Sequence, residues 1–299
     1  MTDPKKRLRR TMLFLNAQRP GLMKDAYIYG ADSVMFDLED AVSENQKDAA
    51  RFSLYNSLRT LDYGGAERIV RINGLDSPHW EEDVRATVAG GAEGIRIPKC
   101  ERASDVKSVE LAIDSAEREF GRDAGSTLLM AAIESPRGVL NALEICESSP
   151  RLFGVALSGG DYRSAMQTKY HPSGVEMLSA RGNLLIAARA SGVQCFDTVF
   201  TDLSDMEGFR AEVILDKEMG FDGKSIINPR QIPIVHEIYA PTEREIMEAE
   251  RVARSLRENA DEGVGVFLLD GKMLDAAFLR GAKRTLALAK ASGLYDGEF

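Results

Sequence analysis

Three carboxylates crowd into four positions where an apolar run ends. In VMFDLEDAV, residues 34–42, Asp37, Glu39 and Asp40 follow Val34, Met35 and Phe36. Like charges that close repel, and desolvating any of them is costly unless a cation or hydrogen-bond donor sits nearby. Either Asp40 caps the next helix while the others face water, or the group helps assemble a cation site. Other ionisable residues recur in the same setting: Arg71 in RIVRING, Lys99 after Pro98 in GIRIPK, Glu134 in LLMAAIE, and Asp161 after Gly159 and Gly160 in SGGDY. Acids on neighbouring strand ends, with few nitrogen and no sulfur ligands, suit a hard cation such as Mg²⁺. Arg71 supplies a planar fork for a substrate carboxylate. Backbone N–H groups from Ser158 to Asp161, with Gly160 among them, suit a second anionic oxygen, because glycine lets a ligand approach closely. Each residue alone has a structural explanation. Arg71 can pair with an acid of the second strand, Glu134 can cap the helix opening at Ser135 and Pro136, and Asp161 can simply turn the chain. Their joint placement favours a site.

The elements that must position them are eight short β-rich runs, at 11–17, 33–39, 68–72, 94–99, 128–134, 152–158, 195–201 and 223–229. Most are continuously apolar, as parallel strands covered on both faces are. Helical patterns alternate with them, for instance EGFRAEVILDKEMG, which ends on Gly220 as a C-cap. This predicts an α/β (β/α)8 TIM barrel over residues 1–240, with chemistry at the C-terminal strand ends. An open doubly wound sheet is the alternative, but no glycine fingerprint follows the first run. Beyond residue 240 a helix carrying Ile246, Ala249, Val252, Ala253 and Leu256 on one face precedes a Gly-rich stretch and a last helix. Residues 241–299 therefore read as a C-terminal helical extension or lid, folding over its own barrel or a neighbour's.

A hydrophobic share of 44% with 28% charged residues supplies a core for a soluble globular protein, and no apolar run approaches a membrane span. A net charge of −9 argues against nucleic acid. The basic cluster Lys5, Lys6, Arg7, Arg9 and Arg10 reads as a solvated lead-in to the first strand. Cys100, Cys146 and Cys195 lie far apart with no CxxC, which suits reduced thiols in the cytoplasm. His79, His171 and His236 lack metal-ligand spacing and read as structural or surface residues.

The stretches TMLFLNAQRP, GADSVMFDLEDAV, VRINGLDSPHW, IRIPK, LMAAIESPRGVLNA, GFDGKSIINPRQI and GVGVFLLDGKMLDAA resemble, in order and over nearly the whole chain, the citrate lyase β chains. These citryl-CoA lyase subunits belong to the aldolase/citrate lyase family that also holds malyl-CoA lyases. The resemblance implies a Mg²⁺-dependent carbon–carbon lyase on a barrel. It matches Glu134 and Asp161 to the metal ligands and Arg71 to the arginine that binds the keto-acid carboxylate. Glu39 and Asp40 match the acidic pair that organises water around the metal. Asp275, in GKMLDAA, matches the acid–base aspartate. The implied reaction cleaves a citryl thioester of CoA or an acyl carrier protein into acetyl thioester and oxaloacetate. Implied partners are the α and γ subunits of citrate lyase and further copies of the chain, as a trimer or hexamer whose tails reach over neighbouring sites. A stand-alone malyl-CoA or citramalyl-CoA lyase and a non-catalytic CoA-binding subunit are the alternatives.

The chain departs from the family pattern in three places. Phe14-Leu15-Asn16-Ala17 lacks the Pro-Gly pair frequent after the first strand, which bears on CoA contacts. Ala277 stands where a proline is frequent, and the SGGDYRSAM loop varies among relatives.

Overall fold

The computed structural model describes residues 4–261, 267–269, 272–274 and 276–297. It places Asp275 outside the described residues. The chain divides into two compact units, Met1–Val235 and His236–Phe299. In the first, eight parallel strands close into a barrel in sequence order. They are β1 (Thr11–Asn16), β2 (Ser33–Asp37), β3 (Glu67–Arg71), β4 (Gly94–Ile97), β5 (Leu128–Ile133), β6 (Leu152–Leu157), β7 (Gln194–Asp197) and β8 (Gly223–Ile226). Six of the eight apolar runs of the sequence contain their strand whole, β3 and β7 each begin one residue before theirs, and β8 pairs back onto β1 to close the ring. Gly220 stands in the left-handed region, φ 102°, and ends helix Met206–Met219 as its sequence predicts.

Alternate residues point inward and fill the barrel. Met12, Met35, Ile69, Leu128, Met130, Phe153, Ala156 and Phe196 form one buried cluster. Above it the inward positions turn polar, and below it an arginine closes the N-terminal mouth. Arg9 is fully buried, stacked 4.0 Å over the Phe153 ring, with Nε and Nη2 donating to Glu67 at 2.6 and 2.7 Å. Arg10 likewise lies against Asp32, Nε to Oδ2 at 2.9 Å. This corrects the reading of the basic cluster as solvated. Glu67 and Asp32 lie far along the chain, so local charge density concealed the buried partners.

In the second unit, helix Glu243–Asp261 opens with a reciprocal capping pair: Thr242 N–H donates to Glu245 Oε2 at 2.7 Å, and Glu245 N–H to Thr242 Oγ1 at 3.2 Å. Ala249 and Ala253 pack on Ala282 and Leu286 of helix Ala276–Ala291. Two short antiparallel strands, β9 (Phe267–Leu269) and β10 (Lys272–Leu274), interrupt the helices. Among the described residues no helix is long and apolar enough to cross a membrane.

Candidate active site

A cavity of about 520 Å³ opens at the C-terminal mouth, lined by Asp37, Asp40, Arg71, Glu134, Gly160 and Asp161 among others. The barrel register explains the gathering. Asp37 is the Cα partner of Arg71, and Arg71 of Arg96, so one carboxylate and two guanidiniums stand in a row across β2, β3 and β4. The ring of Phe14, on β1, lies 5.2 Å from the Arg71 guanidinium carbon and 5.3 Å from that of Arg96.

Asp37 resolves part of the crowding in its loop. It takes the Nε and Nη2 donors of Arg71, both at 2.7 Å, and the backbone N–H groups of Glu39 and Ala41. Burial pushes the Asp37 carboxyl up, but these donors outweigh it and hold the group below its usual range. Arg71 therefore turns its two-donor edge to Asp37 instead of the cavity, the pairing that its strand neighbour made foreseeable. Its Nη1 lies 3.0 Å from Glu39 and 3.3 Å from Asp40. Lys99 donates to Glu39 at 2.8 Å from a backbone in the left-handed region, φ 48°, which is uncommon for a residue with a side chain. Burial raises the Glu39 carboxyl against the pull of Arg71 and Lys99. Asp40 caps no helix here, since the next long one, Lys47–Thr60, has Gln46 at its N-cap.

Glu134 and Asp161 meet at the same mouth. The helix Pro136–Leu140 is capped by Ser135, whose hydroxyl accepts from Gly138 N–H at 3.2 Å, so Glu134 is released from that duty. Burial, with a contribution from the hydrogen-bonded Asp161 carboxyl, pushes Glu134 up to about 7. Its Oε1 is buried without a partner. Two adjoining carboxyl groups, with one oxygen orphaned and only oxygen donors, fit a hard divalent cation. Among the expected backbone donors, Ser158 N–H is used by Ile133 and Gly159 N–H by Thr198 Oγ1 at 2.8 Å. Gly160 and Asp161 are left in the first turn of helix Gly159–Ala165.

A second acidic group, Asp197, Glu212 and Asp216, also lies within metal-ligating distance. It is filled already: Lys224 Nζ donates to the three at 3.0, 2.7 and 2.9 Å, and Arg181 adds a bond to Asp197 at 2.7 Å. An ammonium occupies the place a cation would take, so this cluster is a structural brace.

The family model described as HpcH/HpaI aldolase/citrate lyase matches residues 10–229, which carry this whole mouth. The chain belongs to the HpcH/HpaI aldolase/citrate lyase family. A second model, a carbon–carbon bond lyase of the TIM-barrel fold, matches residues 171–294. Among relatives in the family, citrate lyase subunit beta of Leuconostoc mesenteroides subsp. cremoris is 51% identical over 292 residues, covering 98% of this chain and 97% of that one. The subunit of the same name from Escherichia coli strain K12 is 45% identical over the same shares. The structure of protein CitE from Mycobacterium tuberculosis, in complex with magnesium, acetoacetate and coenzyme A, is similar with a TM-score of 0.74 and 30% identity, covering 94% of this chain and 98% of that one.

Within this family architecture, sequence reading passed over Arg96. It sits inside the quoted IRIPK run, and its signal was a charge at an inward position of an otherwise apolar strand. The sequence offers Arg71 an acid of the second strand as partner without deciding among Asp37, Glu39 and Asp40; the register selects Asp37 for its two-donor edge.

Proposed function

We propose that this chain is a Mg²⁺-dependent carbon–carbon lyase that cleaves a citryl thioester into acetyl thioester and oxaloacetate, as a citrate lyase β subunit. The Glu134–Asp161 pair with its orphaned oxygen carries the reading. The full-length likeness to citrate lyase β subunits supports the choice of substrate. Glu134 and Asp161 hold the cation, which when bound supplies Lewis acidity at the tertiary hydroxyl. Arg71 meets the keto-acid carboxylate with its Nη1 end, while Asp37 fixes its other edge. The Gly160 N–H holds a carboxylate oxygen, and Glu39 and Asp40 order water at the rim. The tertiary hydroxyl gives its proton to the water ordered by Glu39 and Asp40 and its oxygen becomes the oxaloacetate carbonyl, while the bond from the carbinol carbon to the thioester α-carbon breaks and its electron pair passes to the thioester enolate. Asp275 then delivers a proton to that carbon; in condensation it removes one. The thioester is borne by CoA or an acyl carrier protein. The enzyme works in the cytoplasm beside α and γ citrate lyase subunits, as a trimer or hexamer whose 241–299 tail serves a neighbouring copy.

The deciding assay offers purified protein citryl-, citramalyl- and malyl-CoA across a Mg²⁺ titration. Cleavage of citryl-CoA that chelation abolishes is the expected result. Preference for either other ester would make the chain a stand-alone lyase, and inertness toward all three would leave a binding subunit. Mixing Asp275→Asn with Arg71→Ala protein should restore activity if the tail acts in trans. Activity no higher than the sum of the two, despite proven subunit exchange, would confine Asp275 to its own chain.

A further inference from the structure

Arg96 takes no part in the reaction as set out above, yet it stands in the cavity wall with no carboxylate bonded to it among the described residues. It is 2% exposed. Its Nη2 donates to Ser158 Oγ at 2.7 Å and its Nη1 to Ser225 Oγ at 3.3 Å, while Nε has no partner. Among the described residues no carboxylate forms an ion pair with it, and burial together with the neighbouring Arg71 charge lowers its pKa to about 10 against the more distant pull of Glu134, Glu39 and Asp37. A buried guanidinium held only by two hydroxyls is an expensive arrangement, and an apolar side chain would serve the barrel better. Such a group makes sense if its counter-charge arrives with a ligand. The ligand must enter this cavity, because Arg96, Ser158 and Ser225 all line it.

The citryl group carries two carboxylates. One sits on the carbinol carbon beside the hydroxyl, a chelating pair suited to the Glu134–Asp161 end. The other hangs on a methylene arm. Citramalyl has a methyl in place of that arm, and malyl has a hydrogen. We propose that Arg96 receives the carboxylate of the methylene arm and thereby selects citryl over citramalyl and malyl thioesters. This rests on the citryl reading above. The guanidinium is the right receiver because it offers a planar edge and stays charged when buried, which an ammonium does less reliably. Ser158 and Ser225 hold its Nη groups in place.

Oxaloacetate and pyruvate isolate the arm, since both are 2-oxo acids and only oxaloacetate bears the second carboxylate. Calorimetry with Mg²⁺ and the full-length chain should show Arg96→Met losing oxaloacetate affinity by about 10- to 150-fold relative to pyruvate, the factor for hydrogen bonds to a charged group. The ligand-free Tm should hold or rise, because an unpaired buried charge has gone. Equal loss of both acids, or loss of neither, overturns the assignment; so does a collapse in Tm with the selectivity ratio unchanged. Should Arg96→Met not fold, Arg96→Lys keeps the charge without the fork, and a ratio that does not move toward pyruvate is equally fatal. Wild-type protein that cleaves no citryl-CoA removes the parent reading as well. Citryl-CoA cleavage by wild type, with selectivity untouched in the variants, removes only the role of Arg96.

Discussion

Two buried arginines stand toward the two mouths of the same barrel, and they are treated in opposite ways. At the N-terminal mouth Arg9 spends every donor: Nε and Nη2 on Glu67, Nη1 on Gln194 and the Lys5 carbonyl, Nη2 also on the Pro4 carbonyl. Its counter-charge Glu67 is in turn bonded by Ser33 at 3.0 Å. At the C-terminal mouth Arg96 has two hydroxyl acceptors, an orphaned Nε and no ion pair among the described residues. Both arginines sit beside a phenylalanine ring. A saturated buried charge is a structural plug, whereas an unsaturated one beside a cavity is waiting for a ligand. A contrast of counter-charge separates the Lys224 brace, where an ammonium sits among three carboxylates, from the Glu134–Asp161 pair, whose Oε1 on Glu134 is buried without a partner.

The largest expected effect falls on the unsaturated mouth. Glu134→Gln removes one of two carboxylates while keeping shape, so Mg²⁺-dependent cleavage should fall by about 10³-fold or more, several kcal/mol of charge stabilisation. Steady-state rates across a Mg²⁺ titration check it, and wild-type rates would dissolve the cation site. Next comes the plug. Arg9→Met strands the Glu67 carboxylate in the barrel floor and should destabilise the fold by about 3–5 kcal/mol. Urea unfolding measures that loss, while kcat per folded molecule should be unchanged. A mutant of wild-type stability would erase the contrast between the mouths.

Much of this was legible beforehand, and the limits are instructive. Eight apolar runs with helices between them declared a barrel, because strands covered on both faces read as continuous hydrophobic stretches. The strand-end acids share a position in the pattern, and the structure gathers Asp37, Asp40, Glu134 and Asp161 around one cavity. What sequence left open was which of Asp37, Glu39 and Asp40 takes the Arg71 fork across the strands. Asp37 and Arg71 are register partners, yet 34 residues separate them, and that fact alone turns the Arg71 edge away from the cavity. Arg9 and Arg10 looked like a solvated cluster for the same reason. Strands β9 and β10 span only three residues each, too short to show alternation.

A third, smaller effect concerns pH. Glu134 titrates at about 7 in the metal-free protein, above its ordinary 4.5. The raised value means the folded state holds that proton longer than the unfolded state does. Its contribution is full below about 4.5 and is lost as pH rises through about 7, by on the order of 3 kcal/mol. Chelator-treated protein should therefore lose stability across that window. Saturating Mg²⁺ should flatten the loss, since the cation favours the ionised form, and Glu134→Gln should abolish it. A metal-free unfolding profile identical in wild type and Glu134→Gln would return Glu134 to the saturated class.

The smallest effect tests the glycines beside Asp161, which differ as the two mouths do. A Cβ on Gly159 would lie 3.0 Å from both Arg163 Nη1 and Met177 Sδ, against packed neighbours. A Cβ on Gly160 would meet nothing within 4 Å, although Gly160 lines the cavity. Neither needs a positive φ, so backbone strain does not confuse the comparison. Gly159→Ala crowds the protein itself and should lower stability by about 1–3 kcal/mol, as overpacking does. Gly160→Ala should leave Tm alone, because its methyl enters open space. That space is where the substrate's carboxylate is proposed to approach the N–H, so the methyl should weaken oxaloacetate binding by about 1–3 kcal/mol, the same overpacking penalty now borne by the complex. Thermal melts and calorimetry on the two variants read the two effects separately. Undiminished oxaloacetate affinity in Gly160→Ala would move the substrate away from the first turn of helix Gly159–Ala165, and with it the reason for a glycine there.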